Sequence, residues 1–418
     1  VSEVVLPAAP LTLPGVPTPR LGSRELFPTV AFDSFLAHAA ISPTNLASVR
    51  AAEECLKDVA RSGAAVFPRW MAQRERLRNS IAELLGTSSA CVALTSGCTP
   101  GITSVALSLP WKSGETLLTF AGEFPANVIP WQEAARRAGG HVEILDLPAP
   151  GEEDCSGKIV TRIADAIETE RGQGRAVRFL AVSAVEFQTG LRLPLEALGQ
   201  LCEEKDVRFL VDGIQACGVM PLDVEALKID AFFTGAHKWL ISPEGTGFFT
   251  ASERLLDELQ PATVGWLSYE DSELFLFHGA GHLKYERELR KRAQLFEGST
   301  LNSTGFAALE GGIDVCRSVG PARTFEHVQS LHDGLEPVFV ANGFRSLRSP
   351  DQAMRSCLLS FEPPQGLDLM ALASALRERG VMISIPDGRV RLSPHFANSM
   401  AEVAVVESAL SEALRAIS

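Results

Sequence analysis

Between residues 90 and 250 the sequence alternates short apolar runs with longer amphipathic stretches. The runs are ACVAL (90–94), TLLTF (116–120), HVEIL (141–145), RFLAV (178–182), RFLV (208–211), AFF (231–233) and TGFFT (246–250). Runs this short and this apolar suit strands buried on both faces, and strands that alternate with helices form a mostly parallel sheet. The pattern therefore predicts an α/β fold, a seven-stranded sheet covered by helices on both sides. Ligands of such sheets bind beyond the carboxyl ends of the strands.

The flanks read differently. Residues 1 to about 30 carry prolines at 7, 10, 14, 17, 19 and 28, which forbid a long helix or a central strand. This is an extended arm, for which packing across the body, packing across a partner subunit and disorder all stay open. SPTNLASVRAAEECLKDVARSG from Ser42 and RWMAQRERLRNSIAELLG, ending at Gly86, read as helices. Past residue 306 the order is a strand in RSCLLSFEP, a helix in LDLMALASALRERG, two strands (VMISI and RVRLS) around the turn PDG, and a closing helix over 399–417. That helix opens on a capping box of Ser399 and Glu402, and Val403, Val406, Leu410, Leu414 and Ile417 recur on one face. The expected division is an arm (1–40), a large domain (41–305) and a small α+β domain (306–418).

Composition narrows the class. Hydrophobic residues make up 46% and charged residues 21% of 418, which gives ample core for two domains. A formal charge of −13 opposes nonspecific attraction to nucleic acid or to an anionic membrane. The one basic cluster, KYERELRKR (284–292), interleaves Glu286 and Glu288 and reads as a salt-bridged helix face. Eight cysteines lie scattered without a CxxC pair or zinc-like spacing and read as reduced thiols. With neither a leader-like segment nor a membrane-length apolar run, the expected location is the cytoplasm.

Candidate chemistry gathers around DAFFTGAHKWLISPEGTGFF (230–249), where Lys238 follows a strand. A lysine there is usually just solvated, but a desolvated one is a nucleophile toward carbonyl groups. Asp212, in VRFLVDGIQACG, ends the preceding strand, so two successive strand ends bring a carboxylate and an amine to one rim, with His237 beside the amine. TSGCTPG opens a helix after the first run; its free N–H groups suit a phosphate, although the same residues also serve simply as caps. A carboxylate, an amine and a helix start are the parts that a pyridine aldehyde bearing a phosphate requires. A nicotinamide site is disfavoured: no GxGxxG follows the first strand, and EGTGFF precedes a strand. In HGAGH, the glycines favour a loop over the continuous helix that His278 and His282 would need to bind a metal. No metal is expected.

Over most of residues 40–410 the chain resembles the class V aminotransferase and cysteine desulfurase family of fold type I pyridoxal phosphate enzymes. The resemblance rests on LVDGIQACGVMPLDV, GAHKWL, EFPANVIPW, FEGSTLNSTG and GRVRLSPHF, which match family segments in the family's order. It implies that Lys238 joins the aldehyde of pyridoxal 5'-phosphate, that Asp212 faces the ring nitrogen and that Gln215 contacts the phenolic oxygen. Gly97, Cys98, Thr99 and His237 would hold the phosphate, joined by Thr300 from a neighbouring subunit of a homodimer. Phe124 would cover the cofactor ring, and Arg391 would grip the carboxylate of an amino acid substrate. Two departures stand out. Desulfurases carry a nucleophilic cysteine shortly before that arginine, whereas VMISIPDGRVR has none and Cys357 falls in a strand. Where desulfurases have an asparagine near the phenolic oxygen, this chain aligns Phe187, followed by Gln188. The implied activity is class V aminotransferase-like. The alternatives are a C–S β-lyase or cysteine desulfurase-like enzyme, an amino acid epimerase and, more remotely, a non-catalytic cofactor-binding protein.

Overall fold

All seven apolar runs join one sheet in the computed structural model, which describes residues 15–417. The order across the sheet is Val92–Thr95, Gly247–Ala251, Ala231–Gly235, Arg208–Asp212, Ala176–Ser183, Glu115–Phe120 and His141–Leu145. Only Gly247–Ala251 runs antiparallel to its neighbours, so the other six strands share one carboxyl edge.

The runs are continuous because both faces are covered. Successive side chains point to opposite faces: Leu118, Val211, Phe232 and Phe248 pack on one side with Ile159, Ile163, Leu198 and Ile313. Their neighbours Leu117, Leu210, Phe233 and Phe249 pack on the other with Ile102, Val105 and Trp131. The helices covering the two faces include Cys155–Gly172, Leu195–Lys205 and Ser303–Val319 on the first, and Cys98–Ser108 and Ile129–Ala138 on the second.

Ahead of the sheet lie two helices near their expected places. Leu46–Ser62 is capped by Asn45, whose Oδ1 accepts the Ser48 N–H at 3.0 Å. Phe67–Leu85 ends on Gly86 in the left-handed region, φ 66°. The arm's first fourteen residues, with Pro7, Pro10 and Pro14, lie outside the described residues. Further on, Ser34–Phe35 pairs in parallel with Val381–Met382. The chain then runs toward the rim, where the Ser42 N–H donates to the His237 carbonyl at 2.8 Å.

A second core holds the C-terminal lobe together, with Phe361, Leu376, Val390, Leu392, Val406 and Leu410 buried beside Leu36 of the N-terminal segment. Its three-stranded antiparallel sheet has the order Val390–Leu392, Leu359–Glu362, Arg345–Ser346. The expected hairpin around PDG is reduced to a single bridge between Ser384 and Arg391, because Val381–Met382 takes Ser34–Phe35 as its partner instead. The closing helix is Glu402–Ile417, and Glu402 Oε1 accepts the Ser399 N–H at 2.9 Å.

KYERELRKR is not helical. Leu289 bridges Tyr269, and the Arg290 N–H donates to the Ser268 carbonyl at 3.0 Å. Arg290 and Arg292 reach Glu273 and Glu270, at 3.4 and 3.6 Å. The cations at alternate positions thus pair with acids in the turn over 270–273, and helical i, i+4 spacing is not used.

One buried ion pair fixes the sheet's edge. Arg78, on Phe67–Leu85, donates through Nε to Glu297 Oε1 at 3.1 Å and through Nη2 to its other oxygen. The same Oε1 accepts the Leu94 N–H at 2.8 Å. Removing one member of such a pair strands the other charge at a cost of about 3–5 kcal/mol. Glu297→Ala is therefore expected to lower the unfolding free energy read from urea titration by a matching amount, with Arg78→Met plus Glu297→Leu less harmful than either single change.

Candidate active site

Four of the expected groups converge at the shared carboxyl edge. Asp212 is the last residue of Arg208–Asp212 and is buried. Its Oδ1 accepts the Ile214 N–H at 2.9 Å and faces Cys98 Sγ at 3.4 Å. Burial raises its pKa, opposed by the Ile214 hydrogen bond and the charge of Lys238.

Lys238 follows Ala231–Gly235, and its Nζ stands 5.7 Å from the centroid of the Phe124 ring. Desolvation, and after it the charge of Arg391, bring its pKa down to about 8. The loop carrying it is held from three sides. His395 Nε2–H donates to the Trp239 carbonyl at 3.1 Å, Ser42 N–H to the His237 carbonyl, and Asn45 Nδ2 to the Ile241 carbonyl at 2.9 Å. Ile241 takes φ 46°, a conformation β-branched residues avoid, at a cost of about 1–3 kcal/mol. His395 is neutral there, since burial lowers its pKa to about 4.

The helix Cys98–Ser108 has no side-chain cap. Gly97 precedes it with φ 156° and ψ −180°, a region open essentially to glycine alone. The N–H groups of Cys98 and Thr99 are thus left at a helix start, the arrangement that holds an anion. Burial and Asp212 push the Cys98 thiol well up, which keeps it a neutral donor. His237 stands beside Gly235, with its pKa lowered by burial and by Lys238.

Gln215 has a fixed amide orientation. Its Oε1 accepts Trp239 Nε1–H at 2.9 Å and its Nε2 donates to the Ala39 carbonyl at 3.2 Å, which leaves one amide hydrogen for a further acceptor. Arg391 is buried, with Nε donating to Ser384 Oγ at 3.1 Å and Nη1 to the Phe187 carbonyl at 2.7 Å. Its Nη2 makes no hydrogen bond among the described residues. Desolvation lowers its pKa to about 10, so it stays protonated at neutral pH.

Thr300 stands apart: it is exposed and has no hydrogen bond to this cluster. Phe187 packs its ring edge on Phe124, centroids 5.4 Å apart, and Gln188 turns to Arg389, whose Nη1 reaches Oε1 at 2.5 Å. Cys357 is buried in front of the strand Leu359–Glu362, its thiol pushed well up by burial. All eight cysteines are buried and free. His278 and His282 occupy a glycine loop, ring centroids 6.0 Å apart.

Glu123 escaped the sequence reading. Its carboxylate accepts the Ser183 N–H at 2.6 Å and Asn127 Nδ2 at 3.0 Å, and burial pushes its pKa up to about 7. The available signal was an acid just past a parallel strand's carboxyl end, four residues ahead of an asparagine. Ser384 escaped too, because its contact with Arg391 depends on how the two segments cross.

An amine with a lowered pKa, a buried acid with an open oxygen, an uncapped glycine-led helix start and a free guanidinium edge make up the donor set that pyridoxal phosphate requires. The comparisons agree. The family described as aminotransferase class-V matches residues 35–405, and the chain belongs to it. Pyridoxal phosphate is that family's cofactor. The chain is 26% identical over 362 residues to a probable cysteine desulfurase of Pyrococcus abyssi, which covers 82% of this chain and 84% of that protein. It is 28% identical over 346 residues to isopenicillin N epimerase of Streptomyces clavuligerus, with 80% and 82% covered. Among solved structures, the cystine C–S lyase C-DES in complex with cysteine persulfide superposes with a TM-score of 0.81 at 21% identity, over 92% of this chain and 99% of that one. The fold is that of the fold type I pyridoxal phosphate enzymes.

Only the neutral amine attacks an aldehyde, so uptake of pyridoxal phosphate by cofactor-free protein is expected to speed up as pH rises toward 8 and to level off above it. Absorbance at a series of pH values checks this. After borohydride reduction, peptide mass mapping is expected to find the cofactor on Lys238 and on no residue of Lys238→Ala.

Proposed function

We propose that this chain is an amino acid aminotransferase of class V, working through Lys238, Asp212 and Arg391. The reading is carried by one observation: a single amine of lowered pKa lies between a buried acid and a protonated arginine at the sheet's edge. When bound, pyridoxal phosphate supplies the electron sink that lets a bond to the substrate's α-carbon break. Asp212 holds the proton on the ring nitrogen, which keeps that sink effective. The Cys98 and Thr99 N–H groups and neutral His237 would hold the phosphate, and the remaining Gln215 amide hydrogen would be free for the phenolic oxygen. Arg391 orients the substrate by its carboxylate. Lys238 would take the α-proton and hand it on along the same face.

One proton carrier is sufficient for a transfer along one face, which is what transamination needs. Epimerisation needs proton delivery on the opposite side, and the Phe124 ring facing Lys238 has no transferable proton to give. Persulfide chemistry needs an accessible thiolate, and all eight cysteines are buried. A β-lyase is the second reading. It is favoured by the likeness to the C–S lyase C-DES, and it uses the same proton removal followed by loss of a β-substituent.

Product analysis separates the outcomes. With amino donors and 2-oxo acids, a new amino acid that forms only when the acceptor is present is the expected result. Pyruvate with ammonia or sulfide formed without acceptor would assign the lyase, and an inverted α-carbon would assign the epimerase. Arg391→Ala is expected to raise KM for the donor by about tenfold to a hundredfold, the loss of a charge-assisted pair. We further propose that two copies complete the site, with exposed Thr300 reaching the partner's phosphate. A fully active monomer in sedimentation would refute this.

A further inference from the structure

Between the two lobes, next to the candidate active site, lies a cleft of about 500 Å³ whose lining includes Glu186, Gln188, Arg345, Arg348 and Arg389. Its charges are unevenly matched. Arg345 pairs with Glu362 through Nε at 2.8 Å, and Arg348 pairs with Asp333 and Glu336 at 2.6 and 3.0 Å. Glu152 accepts from Lys158 at 3.0 Å. Glu186 is satisfied by the N–H groups of Gln188 and Thr189, at 2.9 and 2.6 Å, and by the Thr189 hydroxyl. Arg389 is the exception. Among the described residues its guanidinium bonds only the neutral amide of Gln188, and its Nε is buried without a partner.

Register relates Arg389 to Arg391. Arg389 has extended backbone, φ −113° and ψ 145°, and leads into Val390–Leu392. Residues two apart on an extended segment point to the same side, about 6–7 Å apart. Both guanidinium groups are held by consecutive residues of one loop, Arg391 by the Phe187 carbonyl and Arg389 by the Gln188 side chain. A molecule whose carboxylate meets Arg391 therefore extends along the strand toward a second fork-shaped cation that has no counter-charge.

We infer that Arg389 and the cleft around it bind a second anionic group on the substrate, so that the preferred amino acid is one with a carboxylate at its far end. The inference deepens the proposed function and rests on its assignment of Arg391. Arg389 is a specificity residue here and takes no part in proton transfer. A planar carboxylate accepts two hydrogen bonds from one guanidinium, and it replaces the weaker contact to Gln188.

The test uses unreactive probes on the cofactor-loaded enzyme: glutarate and its monoamide, matched in shape and differing in one charge, by titration calorimetry. Glutarate is expected to bind about tenfold to a hundredfold more tightly, the worth of one charge-assisted pair. In Arg389→Gln that ratio is expected to fall to within about threefold of unity. Gln188→Glu, which supplies the guanidinium with a fixed counter-charge, is expected to lower it as well, and a thermal melt of each variant checks folding. Equal affinities in the unaltered enzyme, or a ratio preserved in both variants, would overturn the inference while leaving the proposed function standing. Failure of the unaltered protein to take up pyridoxal phosphate would overturn both.

Discussion

The site is organised around the cost of keeping an amine away from water. Lys238 is desolvated, lies near the positive charge of Arg391 and is opposed by the buried carboxyl group of Asp212. In a medium of low polarity each group changes what the others can do: the arginine pushes the amine toward neutrality, and the carboxyl group pulls it back. The balance brings the lysine's pKa down to about 8. The rest of the architecture holds these groups at fixed separations, since displacing any one would change the protonation of its neighbours.

The rigidity comes from both lobes and from the segment that links them. Asp212 is a strand's last residue and Lys238 closely follows the next strand, so the sheet's hydrogen bonds set their spacing. The lysine loop carries backbone strain at Ile241, and Asn45 and His395 hold it there. Arg391 arrives from the C-terminal lobe and is tied back to the large lobe by the Phe187 carbonyl. Residues 34–42 pair with the C-terminal lobe at Val381 and reach His237 at the other end. A shift of one lobe would therefore move the arginine relative to the amine.

Relatives bearing the names desulfurase, epimerase and lyase share this frame. Their common part is the family frame matched over residues 35–405. The chemistry after the first proton transfer is decided by what lies around that part. Here those surroundings include a phenylalanine over the lysine, buried cysteines and an arginine without a counter-charge at the mouth of the interlobe cleft.

Local chemistry alone determined a good deal. Seven apolar runs announced seven strands: a strand buried on both faces is apolar at most positions, and the half-exposed edge strand His141–Leu145 alone among them departs from that. Asp212 and Lys238 could be placed at one rim because successive parallel strands bring their carboxyl ends together. The helix at Glu402–Ile417 was legible in its cap and its apolar face. Contacts between distant segments were not legible. Val381–Met382 pairs with residues more than three hundred positions earlier, which removes the hairpin that adjacency suggested. The cations of 284–292 find acids in the turn before Leu274–Phe277, so their spacing was misread as helical. Glu123, Ser384 and the unmatched charge of Arg389 follow the same rule. A side chain's type fixes which bonds it can make, whereas only the folded chain decides which partners come within reach and how much water remains between them.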